Sequence, residues 1–193
     1  MLYMHRALII HRNQGWIFVL RKVRIHKMFA VGDKIVYPLH GAGTVESIEE
    51  KEILGKKKKY YVMRVLCGNM TMLIPVDNSE EIGVRTVIDK TEAKKVLEYF
   101  KNEPLYDDEN WNRRQRENMQ KIKSGDIYKV LDALKALLYR DKLKGLSTGE
   151  RKALVSARQI VVSELIMSGF ASAEDIDLIM DGIIDNLIIT QKG

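Results

Sequence analysis

The sequence predicts a segregated α+β protein in which a small β-barrel domain precedes an all-α helical bundle. Short runs rich in Val, Ile, Tyr and Thr recur between residues 28 and 88, and turn residues separate them. From Thr91 onward the apolar spacing changes to the three- and four-residue steps of amphipathic helices. Hydrophobic residues make up 46% of the 193 residues, which is enough for buried cores. We therefore expect domains over residues 28–88 and 89–193.

A basic segment, residues 1–27, precedes the predicted barrel. It contains six Lys and Arg and no acid, so it carries the whole formal net charge of +6. Its apolar runs are shorter than the roughly 20 residues of a membrane span, and it has no secretory apolar region. A targeting or surface-binding peptide is one interpretation. We favour a disordered extension that lies upstream of a natural start at Met28.

The barrel domain is predicted from four strand-like runs, DKIVY, AGTVESI, KYYVMRVL and MTMLIPV. Four or five short strands in about 60 residues are too few for a two-sheet sandwich, so a strongly bent SH3- or Tudor-like barrel is expected. The HGAG stretch contains a G-x-G pattern, but a strand follows it. A phosphate-binding loop needs a helix at that point. We therefore assign Gly41 and Gly43 to a bend.

The bundle domain is predicted from five helical patterns. The first is TEAKKVLEYF, and the second begins near Trp111 and ends at Ser124. Asp126 is positioned to cap the third helix. The fourth begins with LSTGE, a capping box in which Ser147 and Glu150 satisfy each other's backbone amides. The fifth begins with SAED, which is followed by an apolar face of Ile, Met and Leu.

Catalytic and metal-binding patterns are missing from the sequence. His40 is the only histidine after Met28, and Cys67 is the only cysteine of the chain. One cysteine can form no internal disulfide, and no Cys/His cluster has zinc spacing. We expect a non-enzymatic protein without metal or cofactor, in a reducing cytoplasm.

Positive charge is concentrated between residues 111 and 160. This segment holds 13 basic and five acidic residues, whereas residues 89–110 carry −3 and residues 161–193 carry −5. Such a cluster attracts phosphate without reading sequence. Arg151 and Lys152 follow the Ser147 cap, where free amides could also meet a phosphate. A solvated helix face explains the same pattern, so both interpretations stay open.

Trp111 stands among charged residues in the stretch NWNRRQREN. At 100° per residue it lies about 20° from Ile122 around the helix axis, which permits burial. Its position at the helix start permits an overhanging, exposed ring instead. Arginines lie on both flanks, and an apolar wedge bracketed by Arg opens DNA base steps from the minor groove. The helical period does not distinguish a buried Trp111 from an exposed one.

Three segments together resemble the CarD/CdnL family of bacterial transcription regulators. They are FAVGDKIVYPLHGAGTVESIEEKEILGKKKKYYVMRV, NWNRRQRENMQKIKSGD and GLSTGERKALVSARQIVVSEL. The resemblance covers about residues 28–190. The first segment is also similar to the polymerase-interacting module of the transcription-repair coupling factor, but no helicase motif follows it here.

The resemblance implies two partners. In this family the barrel binds the β subunit of RNA polymerase, and the matching positions here are Lys51, Ile53 and Leu73. Some relatives carry Arg at the position of Leu73, so the polar part of that contact differs here. The helical domain touches promoter DNA at the upstream edge of the melted region and stabilises the open complex.

The resemblance also implies the DNA contacts. A Trp at the position of Trp111 acts as a minor-groove wedge with little sequence preference. Basic residues nearby contact the DNA backbone, and the positions here are Arg113, Arg114, Arg116, Arg151 and Lys152. We expect a monomer. The alternative is a general nucleic-acid or ribosome-associated module that does not contact polymerase.

Overall fold

The structure, a computed structural model, describes residues 3–12, 15–24, 28–53, 55–68, 70–105 and 109–192. Its strands are β1 (Tyr3–Arg12), β2 (Gly15–Arg24), β3 (Lys34–Tyr37), β4 (Gly41–Ile53), β5 (Lys56–Val65), β6 (Thr71–Pro75) and β7 (Arg85–Thr86). Its α-helices are α1 (Lys90–Asn102), α2 (Trp111–Lys123), α3 (Ile127–Lys144), α4 (Thr148–Met167) and α5 (Ala173–Lys192).

The first two strands form a separate antiparallel pair. Their register runs from Tyr3 opposite Arg24 to Arg12 opposite Gly15. A disordered extension is predicted for residues 1–27, and within its described residues the structure has this antiparallel pair. The expectation that the natural chain starts at Met28 stays a prediction.

The β domain is a five-stranded antiparallel sheet in the order β6-β5-β4-β3-β7. A register shift between Val45 and Ser47 interrupts the β4–β5 ladder, and such a bulge bends and twists the bulged strand. The sheet encloses a core that includes Tyr61, Met63 and Ile74, all fully buried. The predicted small β domain is confirmed. The short β7 was not predicted, because a two-residue strand is too short for a periodic pattern.

The helical domain confirms the five predicted helices, and the caps predicted at Asp126 and Ser147 are present. Asp89, Asn110, Asp126 and Ser147 each accept a hydrogen bond from a backbone amide in the first turn of the helix that follows. At α4 the capping box is complete on both sides. The inward faces form one large cluster of buried apolar side chains drawn from all five helices. The fold class predicted from the sequence is therefore correct.

Candidate nucleic-acid interface

Trp111 is the first residue of α2, and 47% of it is exposed. Its ring Nε1–H donates to the Ser147 Oγ at 3.2 Å, so the side chain is tied to the N-cap of α4. The helical phase that aligns Trp111 with the buried Ile122 does point it toward the bundle. Because α2 begins at this residue, the ring stands at the rim of the bundle and leaves half its surface to solvent. An indole with its polar edge fixed and its apolar body exposed is suited to insertion into an apolar gap.

A buried ion pair lies beneath this exposed ring. Arg114 is 4% exposed, and its Nε and Nη2 lie 2.8 and 2.7 Å from the Glu150 Oε1. Arg140 approaches the same oxygen at 3.9 Å. Burial by itself raises the pKa of Glu150, but hydrogen bonds from Ser147 and Arg114 and the Arg114 charge outweigh it, so the pKa lies below its ordinary value. Glu150 is therefore a buried carboxylate that fixes α2 against α4.

Close packing also holds the start of α2 against the start of α4. A Cβ placed on Gly149 would lie 2.6 Å from the Gln115 Nε2, which is nearer than side-chain atoms approach one another. Gly149 therefore allows Gln115 of α2 to lie directly over the first turn of α4. Together with the Trp111–Ser147 bond and the Arg114–Glu150 pair, this contact holds the two helix N-termini side by side. We call this arrangement the wedge brace, made by Trp111, Arg114, Gln115, Ser147, Gly149 and Glu150.

Several predicted DNA-contact residues surround the wedge brace on the solvent side. Arg113 and Arg116 are exposed on α2, and Arg151 and Lys152 are exposed on the second turn of α4. Arg114 differs from the others. It is predicted to be a DNA contact, but its guanidinium is enclosed and bound to Glu150. Its position therefore fits support of Trp111 rather than contact with a phosphate.

Other members of the basic segment bond to acceptors within the protein. The Lys121 Nζ lies 3.6 Å from the Asp132 Oδ2, and the Lys142 Nζ lies 2.6 Å from the Asp185 Oδ1. The Arg158 Nη2 lies 2.9 Å from the Asp177 Oδ1. Lys135 is buried and donates to the carbonyls of Phe100 and Glu103, both at 2.6 Å, and this burial lowers its pKa. The cations of the basic segment therefore fall into two groups, and phosphate binding by the exposed group stays a prediction. Some cations tie the helices together, and others form an exposed basic rim around Trp111.

The second group of predicted residues lies on the barrel. In the ladder, Ser47 pairs with Val62 and Val62 with Leu73, while Lys51 pairs with Lys58 four residues further along. Side chains alternate between the two faces of a strand, so Lys51, Ile53 and Leu73 all lie on the face opposite the buried Tyr61. From strand spacing and rise, Lys51 and Leu73 are about 16 Å apart. One side of the barrel thus carries all three residues.

This barrel face combines apolar and charged contacts. Ile53 and Leu73 are 43% and 40% exposed, so their side chains leave apolar area open to a partner. The Lys51 Nζ lies 3.0 Å from the Glu49 Oε2. Hydrogen bonds from Lys51 and from Ser47 lower the pKa of Glu49, so its carboxylate stays charged at neutral pH. We call the set Lys51, Ile53 and Leu73 the barrel face.

The described part of the chain contains no cluster of three or more His, Cys, Asp or Glu side chains that could hold a metal ion. Across those same residues, no helix is both long and apolar enough to cross a membrane. Burial raises the pKa of the half-buried Cys67 thiol, which disfavours the reactive thiolate form.

The capping box is predictable from the sequence, but its connection to Trp111 is not. Ser147 and Glu150 are 36 residues from Trp111 and Arg114, respectively, and no local pattern links the two stretches. A weak signal was present. Gly149 lies in the first turn of a helix, where glycine is unfavourable unless another group approaches closely.

Comparisons with known proteins cover both domains. Residues 29–88 match the family described as the CarD-like/TRCF RID domain, and residues 95–181 match the family described as CarD, C-terminal domain. In Bacillus subtilis (strain 168), the protein named "Putative transcription factor YdeB" is 38% identical over 138 residues, which cover 72% of this chain and 90% of that protein.

Two solved structures are also similar to part of the chain. The solution NMR structure of the 72-residue N-terminal domain of Myxococcus xanthus CarD is 36% identical and covers 31% of this chain and 79% of that one, with a TM-score of 0.28. CdnLNt from Myxococcus xanthus is 36% identical and covers 34% of this chain and 93% of that one, also with a TM-score of 0.28.

Proposed function

Since this chain belongs to the CarD/CdnL family and is a transcription regulator that interacts with RNA polymerase, we propose that it joins the polymerase β subunit to promoter DNA and stabilises the open complex. The barrel face, Lys51, Ile53 and Leu73, contacts the β subunit. Trp111 enters the minor groove at the upstream edge of the melted DNA. The observation that carries the proposal is the half-exposed Trp111 at a helix start, held by its ring nitrogen on Ser147.

The wedge works because its polar edge is already satisfied. The bond from Nε1 to Ser147 fixes the ring before DNA arrives, so little side-chain freedom is lost on insertion. Apolar side chains placed between base steps unstack them and kink the duplex. A ring inserted at the edge of the melted region hinders the strands from pairing again, and this slows collapse of the bubble.

Exposed cations around the ring hold the DNA backbone in place. Arg113, Arg116, Arg151 and Lys152 stand on the solvent side of the two helix starts and contact phosphates without reading bases. Arg114 supports the wedge from below through Glu150. We therefore keep Arg114 in the function as a positioning residue.

The expected DNA affinity is that of a protein that occupies DNA appreciably only while it is bound to the polymerase. Phosphate contacts alone give a Kd of roughly 10⁻⁴–10⁻⁶ M at physiological salt. Binding to the polymerase raises the effective concentration of the wedge near DNA to about millimolar, which is enough for occupancy. A preference of about 1–2 kcal/mol for the open state then lengthens the life of that state by about 5- to 30-fold.

The test is the lifetime of a promoter open complex with Trp111→Ala. We expect the variant to shorten this lifetime by about 5- to 30-fold, while its affinity for the β subunit stays unchanged. Trp111→Phe keeps an apolar ring but loses the donor to Ser147, so it should have an intermediate effect. The matched control is Val155→Ala, which truncates another exposed apolar side chain of the same domain.

An unchanged lifetime for a folded Trp111→Ala variant would contradict the wedge. A pull-down that recovers RNA but no β subunit would favour the alternative, a general nucleic-acid or ribosome-associated module. In our proposal the protein acts in the cytoplasm as a single copy per polymerase. It contributes no catalytic chemistry of its own.

A further inference from the structure

We propose that the contact between the barrel and α4 is a positioning device that sets where Trp111 stands relative to the barrel face. The inference rests on the proposed function and adds to it the residues that couple the two partners. Arg85, Glu164, Ser163 and Gly41 are these positioning residues. None of them belongs to the barrel face, the wedge brace or the basic rim.

The first anchor is a partly buried ion pair between the domains. Glu164 is fully buried on α4, and Arg85 of β7 donates to it through both terminal nitrogens, with the Nη2–Oε2 distance at 2.7 Å. The Ile88 amide donates to the same carboxylate at 3.2 Å. The Arg85 Nε donates to the Gly125 carbonyl at 2.7 Å, which connects β7 to the turn between α2 and α3. A two-pronged pair of this kind fixes orientation as well as distance.

The second anchor joins α4 to the β3–β4 turn, to the start of β4 and to the connection between β5 and β6. The Ser163 Oγ accepts from the Ala42 amide at 2.8 Å. The Gln159 Nε2 donates to the His40 carbonyl at 3.1 Å and to the Cys67 carbonyl at 3.3 Å. With the Glu164 anchor, these bonds fix successive turns of α4 on the barrel. The helix is thus restrained against tilting about any single contact.

The close approach at this turn leaves no room for a side chain. Gly41 has a φ of +89°, and a Cβ built there would lie 2.6 Å from the Ser163 Oγ and 3.2 Å from the Gln159 carbonyl oxygen. Gly41, assigned to a bend from the sequence, therefore also sets how closely the barrel meets α4. A Cβ there must displace the Ser163 hydroxyl, which accepts from Ala42, or move the start of β4 away from α4.

The same helix that anchors the barrel also carries the wedge brace. Glu150 supports Arg114 near the start of α4, and Glu164 holds the barrel 14 residues later. At 1.5 Å per residue the two carboxylates are about 21 Å apart along the helix. A 10° tilt of α4 at the barrel would therefore move the ring of Trp111 by about 4 Å. That is about one base step along a DNA strand, roughly 3.4 Å, so a loose contact would misplace the wedge.

The experiment compares Gly41→Ala with Gly32→Ala. Both glycines have a positive φ, +89° and +92°, so both variants carry the same kind of backbone strain. A Cβ on Gly32 meets nothing within 4 Å, whereas on Gly41 it collides with α4. Glu164→Gln is a second, isosteric variant, which is used if Gly41→Ala does not fold. Each protein is examined as the full chain.

Three measurements are made on each variant. Affinity for the β subunit shows whether the barrel face still binds its partner. Pulsed EPR with spin labels on cysteines introduced at Lys57 and Lys129, in a Cys67→Ser background, reports the distance between the two domains. Open-complex lifetime shows whether Trp111 still slows collapse of the melted DNA. For Gly41→Ala and Glu164→Gln we expect unchanged β-subunit affinity, a broader distance distribution and a lifetime at least about 5-fold shorter, close to that of Trp111→Ala. Gly32→Ala should match the wild type in all three.

Two results would overturn the inference. One is a broadened distance distribution with an unchanged lifetime, because the wedge would then not depend on rigid docking. The other is an unchanged distance distribution in both Gly41→Ala and Glu164→Gln, because the contact would then not set the domain geometry. Trp111→Ala in the same lifetime assay distinguishes failure of the positioning role from failure of the proposed function. If it shortens the lifetime and the docking variants do not, only the positioning role fails. If Trp111→Ala has no effect, the proposed function itself fails.

Discussion

Replacing Glu150 by Gln tests the ion pair that underlies the exposed tryptophan. The substitution keeps the shape of the side chain but removes its charge, while Arg114 stays enclosed at 4% exposure and Arg140 stays 3.9 Å from the altered group. Breaking a buried pair by removing one partner costs about 3–5 kcal/mol, because the remaining charge is left uncompensated. The Gln carbonyl can still accept from Arg114, so we expect a loss near the lower end, about 3 kcal/mol.

The assay is thermal and urea unfolding followed by circular dichroism at pH 7. For a chain of this size, 1 kcal/mol shifts Tm by about 2–4 °C, so the expected loss corresponds to a Tm lowered by about 6–12 °C. The control is Asp177→Asn, which removes one partner of the more exposed Arg158–Asp177 pair. Surface pairs contribute about 0–1 kcal/mol, so the control should shift Tm only slightly.

The pH dependence supplies an independent check. Ser147 and Arg114 lower the pKa of Glu150 from its ordinary value of 4.5, so the folded state binds its proton less readily than the unfolded state. The stabilisation is therefore present above pH 4.5 and is lost as the pH falls through the lower folded-state pKa. The stability difference between wild type and Glu150→Gln should shrink over that acidic range. A loss no larger than that of Asp177→Asn at pH 7, or a difference independent of pH, would refute the reasoning.

Two further predictions concern basic residues with different surroundings. Arg151→Gln removes an exposed cation near Trp111, so DNA affinity should fall by a similar factor on unrelated sequences, and the slope of log affinity against log salt should drop by about 1. Fluorescence anisotropy on two different duplexes measures this, and a sequence-dependent loss would count against it. Lys135→Met leaves buried carbonyls without their donor and should cost about 1–3 kcal/mol at pH 7. Because burial lowers the pKa of Lys135, the wild type should gain stability relative to this variant as the pH rises from the folded-state pKa toward 10.5. Urea unfolding from neutral to alkaline pH tests the sign, and a flat difference would contradict it.

Elements with local signals were predictable from the sequence. Asp126 and Ser147 cap helices where their spacing predicted, because a cap depends on residues within one turn. The strands of the barrel followed from short β-branched and aromatic runs. The two-residue β7 could not be found this way, although its Arg85 makes a two-pronged ion pair between the domains. Its structure depends on a partner strand and on Glu164, 79 residues away, rather than on its own sequence.

The sequence by itself determined the order of a small β domain and a helical bundle, the helix starts, and the candidate residues around Trp111. These depend on periodicity and capping, which act over one or two turns of chain. Only the tertiary structure decided which of those residues face solvent. Trp111 and Ile122 share a helical phase, yet one is half exposed and the other fully buried, because α4 begins beside the first and the bundle core covers the second. Arg113 and Arg114 are neighbours in sequence, but only Arg114 is enclosed with Glu150, since burial depends on what the fold brings to the opposite side.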